Sequence, residues 1–316
     1  MALMQAGIPH KVIATSDINK YSNMSYEAIF GDNPNMGDIC KIRKLPASDI
    51  LIYSFPCTDL SIAATKTRSG MAEGANHRSS LIWEVRRLLS QCKEDNTLPT
   101  WLLMENVPAI DDRMNRPQFL KWLNVLGELG YTSEYGILNA AEFGMAQRRR
   151  RRMFVLSRLG GECPELPVGS GPKQVLEDVL EDEGGIDGKW YTPRTYRFIR
   201  DIPTERITGR CLQVGWINGL VRRSDAAIYS TKALCPTLTV THGGNPHILT
   251  TGGVRSPTPR ERWRLQGFPD WAYDRAAEVS SGHQLTNQAG NSIPVPVLEA
   301  IFGTVYEWDK QHGGIE

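Results

Sequence analysis

Residues 51–61 read LIYSFPCTDLS. With the two residues before it, the apolar part becomes DILIYSF (49–55), which predicts a short buried strand. Pro56 ends the run and fixes the local backbone, and a single cysteine, Cys57, follows. A cysteine at a strand end most often serves as a small buried hydrophobe. The loop after this one, TDLSIAATKTRSG (58–70), is rich in hydroxyl and basic groups, a composition suited to touching phosphates.

The same texture recurs on both sides. KVIATSD (11–17) predicts a strand ending in a carboxylate, and TWLLMENV (100–107) another. YGILNAAEF (135–143) and RRMFVLS (151–157) predict two more. Between them, HRSSLIWEVRRLLSQCK (77–93) carries apolar residues at helical spacing, with Ser79 or Ser80 as N-cap. QFLKWLNVLGELGY (118–131) predicts a second helix that stops near Gly130. Strand alternating with helix implies an α/β fold on a doubly wound, mostly parallel sheet. Ligands in such folds sit at the carboxyl ends of strands, where Asp17, Cys57 and Glu105 all fall.

The 316 residues allow one large domain or two unequal ones, and 41% hydrophobic content supports a sizeable core. The net charge of +1 gives no global basic field, so an anionic partner must meet local patches. No apolar run reaches the ~18 residues of a membrane span, and MALMQAGIPHK has no signal-peptide character. The six cysteines are scattered without a CxxC pair. That argues against structural zinc or disulfides and for a reducing, cytoplasmic setting.

After residue 158 the texture changes. GGECPELPVGSGPK reads as a linker and EDVLEDEGGIDGK as an exposed acidic stretch. RTYRFIRD (194–201), VRRSD (221–225), TLTVTHGGN (237–245) and TTGGVRSPTPRERWR (250–264) then interleave short β-prone runs with glycine and arginine. These predict a smaller, irregular, β-rich domain with a basic surface. SIPVPVLEAIFGTVYEW (292–308) predicts a loop and helix that pack back on the first domain. The expected boundaries are 1–158 plus about 272–316 for one domain and about 159–271 for the other.

Two further stretches carry chemistry. Glu105, in MENV (104–107), is costly to bury without a partner or a task; as a loop-exit acid it would simply be solvated. Gln147 precedes five arginines, 148–152, that lead into an apolar strand. Such a run is usually a solvated surface or a phosphate patch. On a strand, Arg149 and Arg151 would share a face.

Proline-cysteine, then Glu-Asn-Val, then Gln-x-Arg-x-Arg, in that order, resembles the C5-cytosine DNA methyltransferase family of bacteria and phages. PRERWRLQGFPD (259–270) and QAGNSIPVPV (288–297) are similar to two more of its motifs, and SDIN (16–19) and GDI (37–39) to its cofactor-contacting acids. The likeness runs from Met1 to about Ala300. It implies methyl transfer from S-adenosylmethionine to carbon 5 of a cytosine flipped out of double-stranded DNA. The implied nucleophile is Cys57, with Glu105 holding the N3 and amine edge of the base and Arg151, with Arg149 beside it, stabilising the ring oxygen. The implied cofactor contacts are Asp17 for the ribose, Asp38 for the adenine amine, and Ile18, Ile39, Pro56, Leu81, Asn291 and Ser292. For DNA they are Ser61, Thr237, Thr239, Thr241 and Arg260, although alternating threonines read equally as an ordinary strand. No metal is implied, and the chain is expected to act as a monomer away from membranes.

The family's opening strand and Phe-x-Gly-x-Gly turn have no counterpart here, since MALMQAG (1–7) resembles the helix that follows that turn. Three explanations stand: a longer protein, a separate N-terminal fragment, or a relative that binds DNA without methylating it. Weakened cofactor binding is expected. A tRNA substrate is disfavoured because the Cys-Phe-Thr of that branch is not found.

Overall fold

The computed structural model describes residues 1–32, 34–57, 60, 78–147, 151–220, 223–238 and 246–313. In the first half, α1 (Ala2–Gln5) and α2 (Lys20–Phe30) precede β1 (Ile50–Ser54), α3 (Ile82–Glu94), β2 (Trp101–Asn106) and α4 (Arg116–Leu129). Then come β3 (Tyr131–Asn139) and β4 (Arg151–Leu159). The second half holds β5 (Tyr196–Phe198), β6 (Gln213–Ile217), α5 (Arg223–Ala226), β7 (Ala227–Ser230), β8 (His247–Thr250) and β9 (Gly253–Arg255). It closes with α6 (Pro259–Arg264), α7 (Asp270–Val279), α8 (Gly282–Asn291) and α9 (Val295–Gln311).

The first sheet has the order β1-β2-β4-β3. β1 and β2 are parallel and joined through α3, but β4 runs antiparallel to both β2 and β3. β1, β2 and β3 therefore run the same way and β4 alone is reversed, so among the described strands the sheet is mostly parallel with one antiparallel member. β3 and β4 are linked without a crossover helix, and a direct return of that kind makes an antiparallel pair. Both faces are covered, as strands apolar on both sides require. On one face Tyr53, Leu102, Met104 and Met153 pack with Trp83 and Leu89 of α3 and Phe119, Trp122 and Leu126 of α4. On the other, Trp101, Leu103, Phe154 and Leu156 pack with Ala2 of α1 and Val297, Ile301 and Phe302 of α9. The last helix thus returns to the first sheet, and the Trp101 indole N–H donates to Asp309 at 2.9 Å.

Several expectations meet the structure at their edges. Gly130, with φ 101°, caps α4 in the left-handed conformation that glycine adopts without strain. Helix α3 starts later than expected, after a 3₁₀ turn at Arg78–Leu81, so neither Ser79 nor Ser80 is its N-cap. Residues 11–17 form no strand: Thr15 makes one isolated parallel bridge to Asn35. Val12 and Ile13 are 45% and 40% exposed, and no described strand lies alongside to fill a ladder. The second sheet has the order β5-β6-β7-β8-β9, with β5 at an edge.

Candidate active site

The Pro-Cys turn is held from two sides. Asn106, 1% exposed at the end of β2, donates from Nδ2 to the Phe55 carbonyl at 2.9 Å, and its Oδ1 accepts from Val107 N at 2.8 Å. Ser79 donates to the Pro56 carbonyl at 2.6 Å. Cys57 follows directly, half-buried, and its carbonyl accepts from Leu60 N. The asparagine of Glu-Asn-Val and a serine read as a helix cap are therefore the groups that fix where the thiol sits. Spacing alone could not reveal this, because both bonds cross between elements.

Glu105 is 5% exposed, and the parallel register sets it opposite Ser54. Ser54 Oγ donates to Glu105 Oε2 at 3.1 Å. Arg152 Nε lies 3.1 Å from Glu105 Oε1 as an ion pair, without the alignment of a hydrogen bond. Among the described residues, that oxygen has no hydrogen-bond partner. Pairing of Glu105 with Phe154 puts Arg152 on the glutamate's face of the sheet. Arg151 lies on the opposite side and is exposed, and Arg149 lies outside the described residues. The cation beside Glu105 is thus Arg152, which the sequence reading passed over because the β2–β4 register decides it.

Gln147 is fully buried. Its Nε2 donates to the Leu265 carbonyl at 3.2 Å and its Oε1 accepts from Leu238 N at 3.1 Å. It pins Thr237-Leu238 and the end of α6 beside the start of β4. Thr237 is half-buried; Ser61, Thr239 and Thr241 lie outside the described residues. Arg260 contacts Glu181 at 3.3 Å, is bonded to Asp274, and sits 4.5 Å from the Tyr273 ring centre. Its charge is shared with these two carboxylates at a part-exposed position.

The expected cofactor residues divide into groups. Asp17 Oδ1 accepts from Asn19 N at 2.7 Å, and Asn19 Oδ1 caps α2. Asp38 caps the short turn at Ile39–Lys41. Ile18 is 79% exposed and Pro56 is exposed, while Ile39 and Leu81 pack against the core around α3. Asn291 and Ser292 line a cavity of about 280 Å³ between α2 and α8, together with Asn19, Tyr26, Asn287 and Gln288. Gln288 Nε2 ties the two helices through Tyr21 O and Ser25 Oγ. The buried amide oxygens of Asn287 and Gln288 have no partner among the described residues. Two orphan acceptors fit a ligand rich in donors, as the ammonium and ribose hydroxyls of S-adenosylmethionine are.

A family model for the C-5 cytosine-specific DNA methylase matches residues 1–307. The chain belongs to that family. Its cofactor is accordingly S-adenosylmethionine and its reaction class DNA cytosine methylation. Among curated members, the chain is 33% identical over 278 residues to the type II methyltransferase M2.ScrFI of Lactococcus lactis subsp. cremoris, covering 87% of this chain and 72% of the relative. It is 30% identical over 305 residues to the type II methyltransferase M.HaeII of Haemophilus aegyptius, covering 93% and 86%. Among solved structures, the Dnmt2 methyltransferase of S. pombe matches with a TM-score of 0.65 at 20% identity, covering 97% of this chain and 93% of that one. The Entamoeba histolytica methyltransferase EhMeth matches with a TM-score of 0.68 at 14% identity, covering 97% and 94%. At these identities the structural likeness speaks for the fold alone.

Among the described residues, no helix of this C-5 methylase is long and apolar enough to cross a membrane, and no group of His, Cys, Asp and Glu could hold a metal ion.

Proposed function

We infer that this chain methylates carbon 5 of a cytosine flipped out of duplex DNA through a covalent adduct to Cys57. The observation that carries the reading is the Pro-Cys turn, fixed by Asn106 and Ser79 and flanked by a buried Glu105 that keeps one acceptor unfilled among the described residues. Cytosine carbon 5 is a poor nucleophile. Bonding of Cys57 Sγ to carbon 6 turns the ring into an enamine. Glu105 faces the N3 and amine edge, holds it by hydrogen bonds and favours the protonated ring. S-adenosylmethionine would supply a methyl group on a sulfonium, and Asn287, Gln288, Asn291 and Ser292, which line the cavity between α2 and α8, would hold it. Carbon 5 would take the methyl group as the sulfonium S–CH3 bond breaks and S-adenosylhomocysteine leaves; a base would then remove the carbon-5 proton, and breaking of the Sγ–carbon 6 bond would return the thiolate. Arginines 149 and 151 remain the proposed ring-oxygen contacts, with Arg152 orienting Glu105. Asp17, Ile18, Asp38, Ile39, Pro56 and Leu81 complete the proposed cofactor set. In this reading residues 1–158 with about 272–316 form the catalytic domain, and about 159–271, with Thr237, the target-recognition domain.

A duplex containing 5-fluorocytosine tests the nucleophile. With S-adenosylmethionine it traps a DNA adduct on Cys57, because fluorine cannot leave as a proton does. Methyl transfer to ordinary DNA without a trappable adduct would remove Cys57 from its role.

One observation favours a second reading, in which turnover needs another strand. Among the described residues β1 is an edge strand with Ile52 46% exposed, and Val12 and Ile13 of the unformed strand are also bare. Parallel strands are normally covered on both sides. An apolar strand, from this polypeptide or a separate fragment, would fill that edge. Labelled methyl transfer by residues 1–316, alone and with the upstream coding region, separates the cases. Full activity and undiminished cofactor affinity of the shorter form would end this second reading.

A further inference from the structure

Ten consecutive residues, 193–202, are exposed, although they include a ladder-forming strand and four large apolar side chains. Tyr196, Phe198, Ile199 and Ile202 are 40%, 45%, 44% and 47% exposed. The Tyr196 and Phe198 rings meet edge-on at 5.6 Å, so they stand together on one face of β5. Arg197, opposite Trp216 of β6, points to the other face, and Arg194 and Arg200 bracket the strand. The strand is anchored: Asn218 N donates to Thr195 O and Ile199 N to Val214 O, both at 2.9 Å. Phe198 lies over Gly215, where a side chain would collide.

Such an edge is a liability in water, because it offers apolar rings and an open ladder to any other chain. The charges around it indicate which partner it suits. Arginines 206, 255, 260 and 264 of the same half are each held by a carboxylate. Among the described residues, Arg194, Arg197 and Arg200 have no ion pair. Within 193–202 there are three arginines and one carboxylate, Asp201, in a chain whose net charge is only +1. Guanidinium groups spaced along an extended strand match a phosphate backbone, and exposed rings between them suit sugars and base edges.

We propose that residues 194–200 form a DNA-contacting edge of the second sheet, with Arg194, Arg197 and Arg200 on phosphates and Tyr196 and Phe198 packed into the groove. This deepens the methyltransferase reading and rests on it. It adds residues beyond Thr237, Thr239 and Thr241.

The test measures affinity for a mixed-sequence duplex against salt for the wild type, a triple Arg194→Ala, Arg197→Ala, Arg200→Ala variant and a Tyr196→Ala, Phe198→Ala variant. Each phosphate contact contributes about 0.9 to the slope of log affinity against log salt, so the triple variant should lose about 2 to 3 from that slope. The aromatic variant should bind at least about tenfold more weakly with its slope retained. S-adenosylmethionine affinity should be unchanged in both. Replacing the same three arginines by lysine keeps the charge and should restore the slope, which separates lost contacts from lost folding. Wild-type binding matched in affinity and slope by the triple variant overturns the proposal and leaves the methyltransferase reading standing. Absence of duplex binding by the wild type overturns both.

Discussion

Glu261 and Glu105 are both buried carboxylates beside an arginine, and the structure treats them differently. Glu261 is fully buried. Its Oε1 accepts from Arg255 Nη2 at 2.7 Å and from Glu181 N at 3.0 Å; its Oε2 accepts from Arg255 Nη1 and Thr258 N, both at 2.8 Å. Arg255, also fully buried, donates from Nε and Nη2 to Glu183 and from Nη1 to the Ser256 carbonyl as well. Among the described residues, Glu105 has one hydrogen bond, from Ser54, and a misaligned ion pair with Arg152. A saturated carboxylate fixes α6 to β9 and can bind nothing more. One with an open acceptor at a strand end carries an unmet cost that a substrate donor can relieve.

That contrast breaks most sharply at the thiol. Cys57→Ser should lower methyl transfer by at least about 10³-fold, because a serine hydroxyl without an adjacent base is a far weaker nucleophile. Duplex affinity and thermal midpoint should stay near wild type, since Cys57 is only half-buried. Comparable turnover in the variant would remove the covalent step. On the closed side the effect moves to stability. Arg255→Ala strands the buried Glu261 and takes one partner from the part-exposed Glu183, and should cost about 3–5 kcal/mol in urea unfolding. A loss under about 1 kcal/mol would mean that water enters and replaces the arginine.

The Glu105 contact sharpens the comparison further. Arg152→Ala should reduce methyl transfer more than Arg151→Ala, by about 1–3 kcal/mol in the barrier, if orienting Glu105 matters for turnover. The reverse order would mean that the ring-oxygen contact proposed for Arg151 outweighs the orienting of Glu105 by Arg152.

The difference between these regions was only partly legible in the sequence. Strands β1 and β2 and the stop of α4 at Gly130 follow from local patterns, and the structure places them there. What failed depended on neighbours. KVIATSD has a strand's composition, but a strand exists only with a ladder partner, and it has a single bridge. Ser79 has a capping residue's chemistry, yet its hydroxyl goes to Pro56 O. Within the arginine run, only the antiparallel register distinguishes Arg152 from Arg151. The ordered motifs carried the family. The hydrogen bonds that aim Cys57 and Glu105 cross between elements and needed coordinates.

The smallest expected effect concerns pH. Burial raises the Glu183 carboxyl, but hydrogen bonds from Arg255, then Tyr191 and Thr250, outweigh it and leave the group below its ordinary value. A carboxylate depressed in the folded state stabilises fully above its unfolded value, about 4.3, and that contribution is lost as pH falls through the folded value. Unfolding free energy should therefore decline below about pH 4, and Glu183→Gln should flatten the decline while leaving the slope above pH 5 unchanged. Arg255→Ala should flatten it too, since the same guanidinium holds the carboxylate down. If Glu183→Gln leaves the acid limb as steep as before, the closed network is not where acid acts first. Asp270, held low mainly by Arg264, is then the next carboxylate to replace.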